Sequence, residues 1–290
     1  MPENPEVSVV IVTWNSGGEI ARCVNSVIKN SGNINTEIIV VDNNSTDNTK
    51  EKLEELNNSN GNKITLIYNT DNRGFTKACN QGLKMSGGEC IFLLNPDTEL
   101  TEGSLDILTS KLNSEKSYGA VSPKLLNEDG TIQKSCRTFP EYADMFFEMI
   151  LLSSLFPKSK VFSRWKMNYF DHDSEREVDQ PMAAALLIKK SAAEEIGFFD
   201  ERYKMFFNDV DICKKISDNG YKIIFCPGAE VIHTKGVSIY KDRENMIRIW
   251  NKDCAEYFSK HHKNIILQSL LSAGLKLTGI IRILIYKLKK

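Results

Sequence analysis

The sequence has 290 residues, 41% of them hydrophobic and 26% charged, and a formal net charge of -1. This length is enough for one large α/β domain with accessory segments or for two modest domains. A nearly neutral chain lacks the basic excess of a general nucleic-acid binder, so we expect no nucleic-acid partner.

Strand and helix patterns alternate through the first part of the chain. Short apolar runs without alternation, typical of strands buried on both faces of a parallel sheet, occur at 7–13, 37–41, 63–68 and 90–94. Helical patterns follow them at about 19–30, 46–57, 74–85 and 102–113. This order predicts an α/β fold with a Rossmann-like, mostly parallel central sheet flanked by helices.

The second half of the chain has a different pattern. The segment 144–170 is rich in Phe, Met, Leu and Trp and contains no residue of obvious catalytic type. Beyond it we predict a strand at 183–188, a helix at 191–196 and two short strands at 221–225 and 229–232.

The sequence pattern of the tail at 263–290 predicts one or two amphipathic helices, with a break near Gly274 or Gly279. It is rich in Ile and Leu, and no acidic residue follows Glu256. A basic helix with an apolar face is typical of peripheral contact with an anionic membrane. The alternative is a helix docked on the domain with its charges in solvent.

The N-terminus and the cysteines favour a cytoplasmic protein, and the basic tail would place it at the inner face of the cell membrane. The first ten residues have no basic region and only a short apolar run, unlike an export signal. The seven cysteines are odd in number and include no C-x-x-C pair, which disfavours a disulfide framework and a zinc ribbon. No run of 18 uncharged apolar residues indicates a membrane span.

Polar residues follow three of the predicted strands, at the edge where ligands bind in doubly wound sheets. Asp97, in an Asn95-Pro96-Asp97 turn, is suited to a divalent cation, and Asn95 to a ribose or phosphate. An ordinary turn is equally compatible with these residues. Asp42 could accept the N3–H of a uracil or thymine ring, or could form an Asx turn or a helix cap.

Two later residues are further candidates. Asp209 lies among aromatic residues, where an acid acquires the raised pKa of a general base, although it could also be a helix N-cap. His233 follows a strand and could complete a metal site or be structural. Lys235 or Arg73 could offset the charge of a diphosphate.

The ordered motifs VSVVIVTWN, EIIVVDNNSTD, NRGFTKACNQG, LLNPDTEL, FFDERYKMFFNDVDICKKI and VIHTKGVS resemble glycosyltransferase family 2. They are most similar to its bacterial rhamnosyltransferase-like branch, and they extend over about 7–238. The resemblance implies a GT-A domain at 1–262, with a nucleotide-binding half at about 1–120 and an acceptor-side half at 121–262. The tail at 263–290 lies outside that domain.

The resemblance also implies roles for individual residues. Asp97 and His233 would hold Mg²⁺ or Mn²⁺ against the diphosphate, and Asp209 would take the acceptor proton. Ala183, Ala184 and Ala185 would occupy the small-residue strand beside donor and acceptor. The nucleotide pocket would be formed by Thr13, Asn15, Asp42, Asn44, Arg73 and Asn95.

The sequence departs from the family pattern at two positions. Asn95 replaces the first acid of the D-x-D-type motif, so Asp97 is its only charged ligand. Asn208 replaces an acidic neighbour of Asp209, which removes a like charge and should raise the pKa of Asp209 less.

The implied function is transfer of a sugar from a nucleotide-diphosphate donor to an acceptor hydroxyl with inversion. L-rhamnose from dTDP-rhamnose is the leading donor, a UDP-sugar the other, and the acceptor is a saccharide or lipid-linked saccharide in cell-surface polysaccharide or glycolipid assembly. Because of Asn208, an inactive GT-A-fold carbohydrate-binding or scaffold protein is the alternative. A nucleotidyltransferase is disfavoured because its Gly-rich, basic loop is missing after the first strand, where no basic residue precedes Arg22.

Overall fold

The computed structural model describes residues 4–61, 63–234 and 243–288. In its N-terminal part, strands and helices alternate as the apolar pattern predicts. They are β1 (Val7–Thr13), α1 (Ile20–Asn30), β2 (Thr36–Asp42), α2 (Thr49–Ser59), β3 (Ile64–Tyr68), α3 (Phe75–Met85), β4 (Cys90–Leu94), β5 (Thr98–Leu100) and α4 (Ser104–Ser114).

The later elements are shorter and more varied. The strands are β6 (Tyr118–Leu126), β7 (Ile132–Gln133), β8 (Cys136–Arg137), β9 (Arg176–Glu177), β10 (Gln180–Pro181), β11 (Ala185–Lys189) and β12 (Lys222–His233). The helices are α5 (Tyr142–Met149), α6 (Leu152–Leu155), α7 (Lys190–Glu195), α8 (Asn208–Asp218), α9 (Arg243–His261) and α10 (Ile265–Leu288).

The central sheet has the strand order β3-β2-β1-β4-β11-β6-β12-β5. The pairs β3–β2, β2–β1, β1–β4 and β6–β12 are parallel. Strand β11 runs antiparallel to both of its neighbours, and β5 is antiparallel to β12. The predicted α/β fold with a mostly parallel sheet is therefore confirmed.

Helices cover both faces of this sheet, and the residues of β1 show how. Val9 and Ile11 belong to the apolar cluster that includes α1 and α4, whereas Val10 and Val12 belong to the cluster that includes α3. Because successive side chains of a strand point to opposite faces, a strand covered on both sides must be apolar throughout. That requirement explains the runs without alternation.

Three local predictions differ from the structure. The run predicted as two strands around Cys226-Pro227-Gly228 is the single strand β12, which has a register shift between Cys226 and Glu230. Strand β6 has no counterpart among the predicted elements; it contains Pro123, a residue type that is disfavoured in sheet interiors. Helix α2 begins at Thr49, with Asn48 as its N-cap, three residues later than the predicted start at 46.

Helix α10 is continuous through both glycines at which a break was predicted. A Cβ added at Gly274 would lie 2.7 Å from Met149 Sδ, and one added at Gly279 would clash with the Asn251 amide. The glycines therefore allow α10 to approach α5 and α9 closely. This packing buries Leu271, Leu275 and Ile283 of α10.

Most apolar side chains of α10 nevertheless face outward. Among the described helices, α10 alone is long and apolar enough to cross a membrane by length and composition, and 22% of its most apolar window is buried. The exposed set is Ile265, Ile266, Leu267, Leu270, Leu277, Ile280, Ile281, Leu284, Ile285 and Leu288.

Packing of α3 on the sheet yields a stability prediction. A Cβ at Gly82 would lie 2.5 Å from Val10 Cγ1, and a β-branched side chain in a strand has little freedom to move. Overpacking costs about 1–3 kcal/mol, more than the roughly 1 kcal/mol that alanine gains over glycine in a helix. Urea denaturation of Gly82→Ala should therefore show a lower free energy of unfolding.

Gly18→Ala is the matched control, because a Cβ there meets nothing within 4 Å and its stability should hardly change. A Gly82→Ala protein as stable as the wild type would contradict the close packing of α3 on β1.

Candidate active site

One cavity of about 1320 Å³ lies at the carboxyl ends of β1 and β4. It extends from the loops after these strands to the N-terminus of α8 and on to α10. Most of the residues singled out in the sequence line it, namely Thr13, Asn15, Arg73, Asn95, Asp97, Ala183, Ala184, Asp209 and His233. Asp42 and Asn44 are not among the lining residues, and Lys235 lies outside the described residues.

Strand registers bring these residues together. Thr13 pairs with Asp42 across β1 and β2, and the backbone N–H of Asn95 donates to the carbonyl of Ala184 at 2.9 Å. On the far side, His233 at the end of β12 pairs with Thr98, next to Asp97. Antiparallel neighbours thus deliver residues to the same edge as the parallel strands.

Thr13 and Asp42 are both buried, and each has an unsatisfied oxygen. Asp42 Oδ2 accepts a hydrogen bond from the backbone N–H of Ser45 at 3.0 Å and lies 3.9 Å from Lys50 Nζ. Asp42 Oδ1 and Thr13 Oγ1 have no hydrogen-bond partner among the described residues. Such buried orphan atoms are rare in folded proteins, and a ligand with its own donors and acceptors would satisfy them.

Asn15 and Asn44 have backbone roles. Both adopt the left-handed region, with φ of 53° and 66°. The Asn15 side-chain oxygen accepts from the backbone N–H of Thr46 at 2.7 Å, so it holds the loop after β2. Asn44 is half-buried, and its neighbour Asn43 lines the cavity instead.

Asn43 is a residue that the sequence did not single out. Its Oδ1 accepts from the backbone N–H of Arg73 at 3.0 Å, and its Nδ2 donates to Asn72 Oδ1 at 2.9 Å. These bonds tie the loop before α3 to the end of β2. The Arg73 side chain lies at the cavity edge, where its Nε donates to Asp71 at 3.3 Å.

Asp97 and His233 face each other, with Asp97 Oδ1 at 3.4 Å from His233 Nε2. Gln133 determines the tautomer of this histidine. Its Nε2 donates to the carbonyl of His233 at 3.2 Å and to Asn127 Oδ1 at 2.9 Å, which leaves its Oε1 to accept from His233 Nδ1–H at 2.6 Å. The lone pair of a neutral imidazole is then at Nε2, directed to the Asp97 side.

A carboxylate and an imidazole nitrogen lone pair facing each other suit a divalent cation, and the Gln133 bond is the outer partner that such a histidine requires. No cluster of three or more His, Cys, Asp or Glu side chains able to hold a metal occurs in the parts of the chain that the structure describes. Asp97 and His233 therefore fit a cation that takes its other oxygen ligands from substrate and water, as Mg²⁺ does.

Asp209 lies in the first turn of α8 and lines the same cavity as Asp97 and His233. Its Oδ2 accepts from Gln180 Nε2 at 2.9 Å, and its Oδ1 from the backbone N–H of Val210 at 2.9 Å. Burial raises the pKa of Asp209, and the nearby Arg137 guanidinium opposes that increase. The carboxyl group lines the cavity and has the environment of a general base.

Asn208 has a different set of contacts. Its Nδ2 donates to the carbonyl of Met205 at 3.0 Å, a bond that a carboxylate could not donate. The amide therefore fits its position in this chain, and it holds the turn that leads into α8.

Gln180 and Arg137 were not predicted as site residues, and Trp165 was predicted only as part of the aromatic segment 144–170, expected on the acceptor side. Gln180 and Arg137 face each other across β10 and β8, a pair of two-residue strands. The Arg137 guanidinium lies over the Trp165 ring, 5.0 Å from its centroid. Strands this short give no periodic signal, so the sequence offers no local sign of this pairing.

Helix α9 fixes the segment before Asp209. The buried carboxylate of Asp253 accepts from the backbone N–H groups of Lys204, Met205 and Phe206 at 3.4, 3.1 and 2.9 Å. Three donors on one carboxylate restrain this segment tightly.

Asp211 links α8 to α9 as well. Its Oδ1 accepts from His261 Nε2 at 2.6 Å and Lys260 Nζ at 2.7 Å. Burial alone would raise the pKa of Asp211, but hydrogen bonds from His261 and Lys260 outweigh it and lower that pKa.

The amino-acid sequence is similar to those of known glycosyltransferases. The family model described as glycosyl transferase family 2 matches residues 8–166. The N-acetylglucosaminyl-diphospho-decaprenol L-rhamnosyltransferase of Mycobacterium tuberculosis is 26% identical over 271 residues, which is 88% of this chain and 81% of that protein. The glycosyltransferase GlyG of Streptococcus pneumoniae is 24% identical, over 91% of this chain and 82% of that protein.

Solved structures support the fold. GalNAc-T7 with UDP, GalNAc and Mn²⁺ matches with a TM-score of 0.63 at 18% identity, over 95% of this chain and 54% of that chain. The Pyrobaculum calidifontis mannosyltransferase PcManGT with GDP-Man and Mn²⁺ matches with a TM-score of 0.59 at 16% identity, over 95% of this chain and 74% of that chain. These are GT-A glycosyltransferases, and the likeness establishes the GT-A fold here.

Proposed function

The chain belongs to glycosyl transferase family 2, and we propose that it is an inverting, metal-dependent enzyme that transfers a sugar from a nucleotide-diphosphate donor to an acceptor hydroxyl. Membership in the family and its rhamnosyltransferase-like branch, predicted from the ordered motifs, is confirmed. One observation carries the proposal: a single cavity connects Thr13, Asp97 and His233 with Asp209.

Binding of the donor nucleotide is supported by the unsatisfied atoms at the ends of β1 and β2. A uracil or thymine ring offers an N–H donor and carbonyl acceptors, which match Asp42 Oδ1 and Thr13 Oγ1. Asn15 and Asn44 maintain the loops around the base. Arg73, at the cavity edge, and Asn95 are available to the ribose and diphosphate.

Mg²⁺ or Mn²⁺ would be held by Asp97 and His233, together with donor phosphate oxygens. When bound, such an ion neutralises the charge that develops on a departing diphosphate. The protein's part is to orient His233 through Gln133 and to place the Asp97 carboxylate opposite it. With Asn95 in place of a second acid, Asp97 is the only carboxylate of its motif.

Asp209 would act as the general base. It takes the proton of the acceptor hydroxyl as that oxygen attacks the anomeric carbon, and the carbon–oxygen bond to the diphosphate breaks. Its raised pKa places it closer to neutral pH than an exposed aspartate, which suits proton transfer. A single displacement with one base inverts the anomeric configuration.

A relative supports the proposed donor and acceptor, and helix α10 supports the proposed location. One of them transfers L-rhamnose, by its name, to a diphospho-decaprenol-linked acceptor. We therefore propose dTDP-rhamnose as the donor, with UDP-sugars second, and a lipid-linked saccharide of cell-surface polysaccharide or glycolipid assembly as the acceptor. The outward-facing apolar residues of α10 support contact of 263–290 with the cytoplasmic face of the membrane.

Asp209→Asn should lose about 10²–10⁴-fold of the transfer rate, the usual contribution of a general base. It should unfold at a temperature no lower than the wild type. Burial raises the folded-state pKa of Asp209, so stability increases as pH falls towards that value, and a neutral amide resembles the protonated acid. Nucleotide release and thermal denaturation measure the two effects.

Asp218→Asn, on the exposed side of the same helix, is the control and should retain full activity. Normal turnover by Asp209→Asn would show that another group is the base.

UDP or dTDP with Mn²⁺ should raise the melting temperature, because a ligand that binds only the folded state stabilises it, by about 2.7 kcal/mol at 100 times its Kd. Asp97→Asn should lose the Mn²⁺-dependent part of the shift. Glu99→Gln, two residues away on β5 and paired with Arg22, should keep it. If no nucleotide shifts the wild type, the carbohydrate-binding or scaffold alternative is favoured.

A further inference from the structure

The cavity continues well beyond Asp209, and its far half has a different chemical character. There it passes between α5, α9 and α10. Its walls become aliphatic, formed by Met149, Leu151, Met246, Ile249, Leu275 and Ile285. A sugar acceptor alone would leave most of these walls uncovered, because its apolar C–H faces are small.

An aromatic stack with an arginine on each outer ring lies along this half. Phe207 contacts two tryptophans. Its ring is nearly parallel to that of Trp165, with the centroids 6.4 Å apart, and is inclined by 63° to that of Trp250, with the centroids 5.5 Å apart. The Arg137 guanidinium lies 5.0 Å from the Trp165 centroid, and the Arg282 guanidinium 5.8 Å from the Trp250 centroid. Both arginines line the cavity.

Neither arginine is paired with a carboxylate of the described residues. No ion pair or side-chain hydrogen bond joins Arg137 or Arg282 to another residue in the described ranges. The nearest acids have other partners: Asp209 accepts from Gln180, and Glu148 pairs with Lys166 at 2.5 Å. Their interaction with the arginines is electrostatic attraction without a hydrogen bond: Asp209 and Glu148 attract Arg137, and Glu148 also attracts Arg282.

Guanidinium groups held on aromatic faces without a paired carboxylate are suited to phosphate, which they bind through two parallel hydrogen bonds. Arg137 is half-buried, and burial makes an unpaired positive charge costly, a cost that an anionic ligand would offset. Arg282 is exposed.

Three apolar residues that line the cavity, Leu151, Ile281 and Ile285, are exposed, so the cavity has a mouth at an apolar part of the surface. Around it lie the exposed residues of α10 and those of the α5–α6 region: Phe146, Ile150, Leu151, Leu155, Phe156 and Val161. Exposed lysines flank this surface at Lys158, Lys160, Lys276 and Lys287. Apolar side chains with basic neighbours match the boundary between lipid chains and anionic headgroups.

We propose that this half of the cavity binds the phosphate- or diphosphate-linked hydrocarbon chain of a lipid-linked acceptor. Arg137 and Arg282 bind the phosphate groups along the tryptophan stack, and the chain leaves through the aliphatic mouth beside α10. The saccharide then lies at Asp209. This assignment rests on the proposed transferase function and adds to it the part of the acceptor that is recognised.

Farnesyl diphosphate, a short phosphate-linked hydrocarbon, tests the site directly on the full-length protein without divalent cations. Two of the chain's three tryptophans, Trp165 and Trp250, belong to the stack, so binding should change the intrinsic fluorescence. The double variant Arg137→Gln/Arg282→Gln should bind at least about tenfold more weakly, since each charge-assisted hydrogen bond contributes at least that much.

Arg248→Gln is the matched control, because Arg248 is exposed on α9 and paired with Glu244. It should bind as the wild type does, and so should Asp97→Asn, whose change lies at the donor end. Equal affinity of the double variant and the wild type would overturn the proposal, and so would loss of binding by Asp97→Asn.

Three further probes separate the sources of the signal. Farnesol and inorganic diphosphate should each bind at least about tenfold more weakly than farnesyl diphosphate, because each lacks half of the ligand. Phosphatidylglycerol vesicles should bind through the apolar surface with little dependence on the two arginines. An equally strong, arginine-dependent response to these vesicles would mean a general headgroup site and would overturn the acceptor assignment.

The melting-temperature shift with nucleotide and Mn²⁺ is measured on the same double variant and should be unchanged. A nucleotide response without arginine-dependent binding of farnesyl diphosphate refutes the lipid site and leaves the transferase function standing. A missing nucleotide response in the wild type counts against the transferase function and against the acceptor assignment that rests on it.

Discussion

Parallel strands that end at one edge of the sheet are the constraint on which the rest of the site depends. Strands β1, β2 and β4 are buried on both faces and mostly apolar, apart from the hydrogen-bonded pair Ser8 and Glu37 near their N-terminal ends. Polar residues therefore concentrate where these strands end. There Thr13 and Asp42 lie in register with two unsatisfied oxygens. The antiparallel strand β11 adds Ala184 from its N-terminal end, and β12, parallel to β6, adds His233 from its carboxyl end. One edge thus holds all the groups that the proposed transfer needs.

The C-terminal helices α9 and α10 hold the part of the site that the sheet does not position. Asp253 of α9 fixes the segment before α8, and Lys260 and His261 hold Asp211 inside that helix. The position of Asp209 therefore depends on a helix far from it in sequence. Helix α10 packs on α9 and α5 and forms the mouth of the cavity. The outer surface that would meet a membrane is therefore connected, through packed helices, to the catalytic end.

Much of this could be predicted from the sequence because the signals are local. A buried parallel strand is a continuous apolar run, and the first polar residue after it lies at the ligand edge, which identified Asp42 and Asp97 as candidates. The GT-A fold followed from the order of motifs.

The rest could not be predicted because it depends on distant contacts. Gln180 and Arg137 meet through two-residue strands, and Gln133 reaches His233 from 100 positions away. The antiparallel direction of β11 could not be predicted, because an apolar run is compatible with either strand direction. Gly274 and Gly279 resemble helix breaks in sequence, whereas only the packing of α10 identifies them as points of close approach.

The anomeric configuration of the product tests the central claim most directly. The enzyme is incubated with dTDP-rhamnose or a UDP-sugar, Mn²⁺ and a lipid-linked acceptor, and the new linkage is examined by NMR coupling constants. One displacement assisted by Asp209 as the sole base predicts a configuration opposite to that of the donor. Retention of the donor configuration would contradict that role for Asp209.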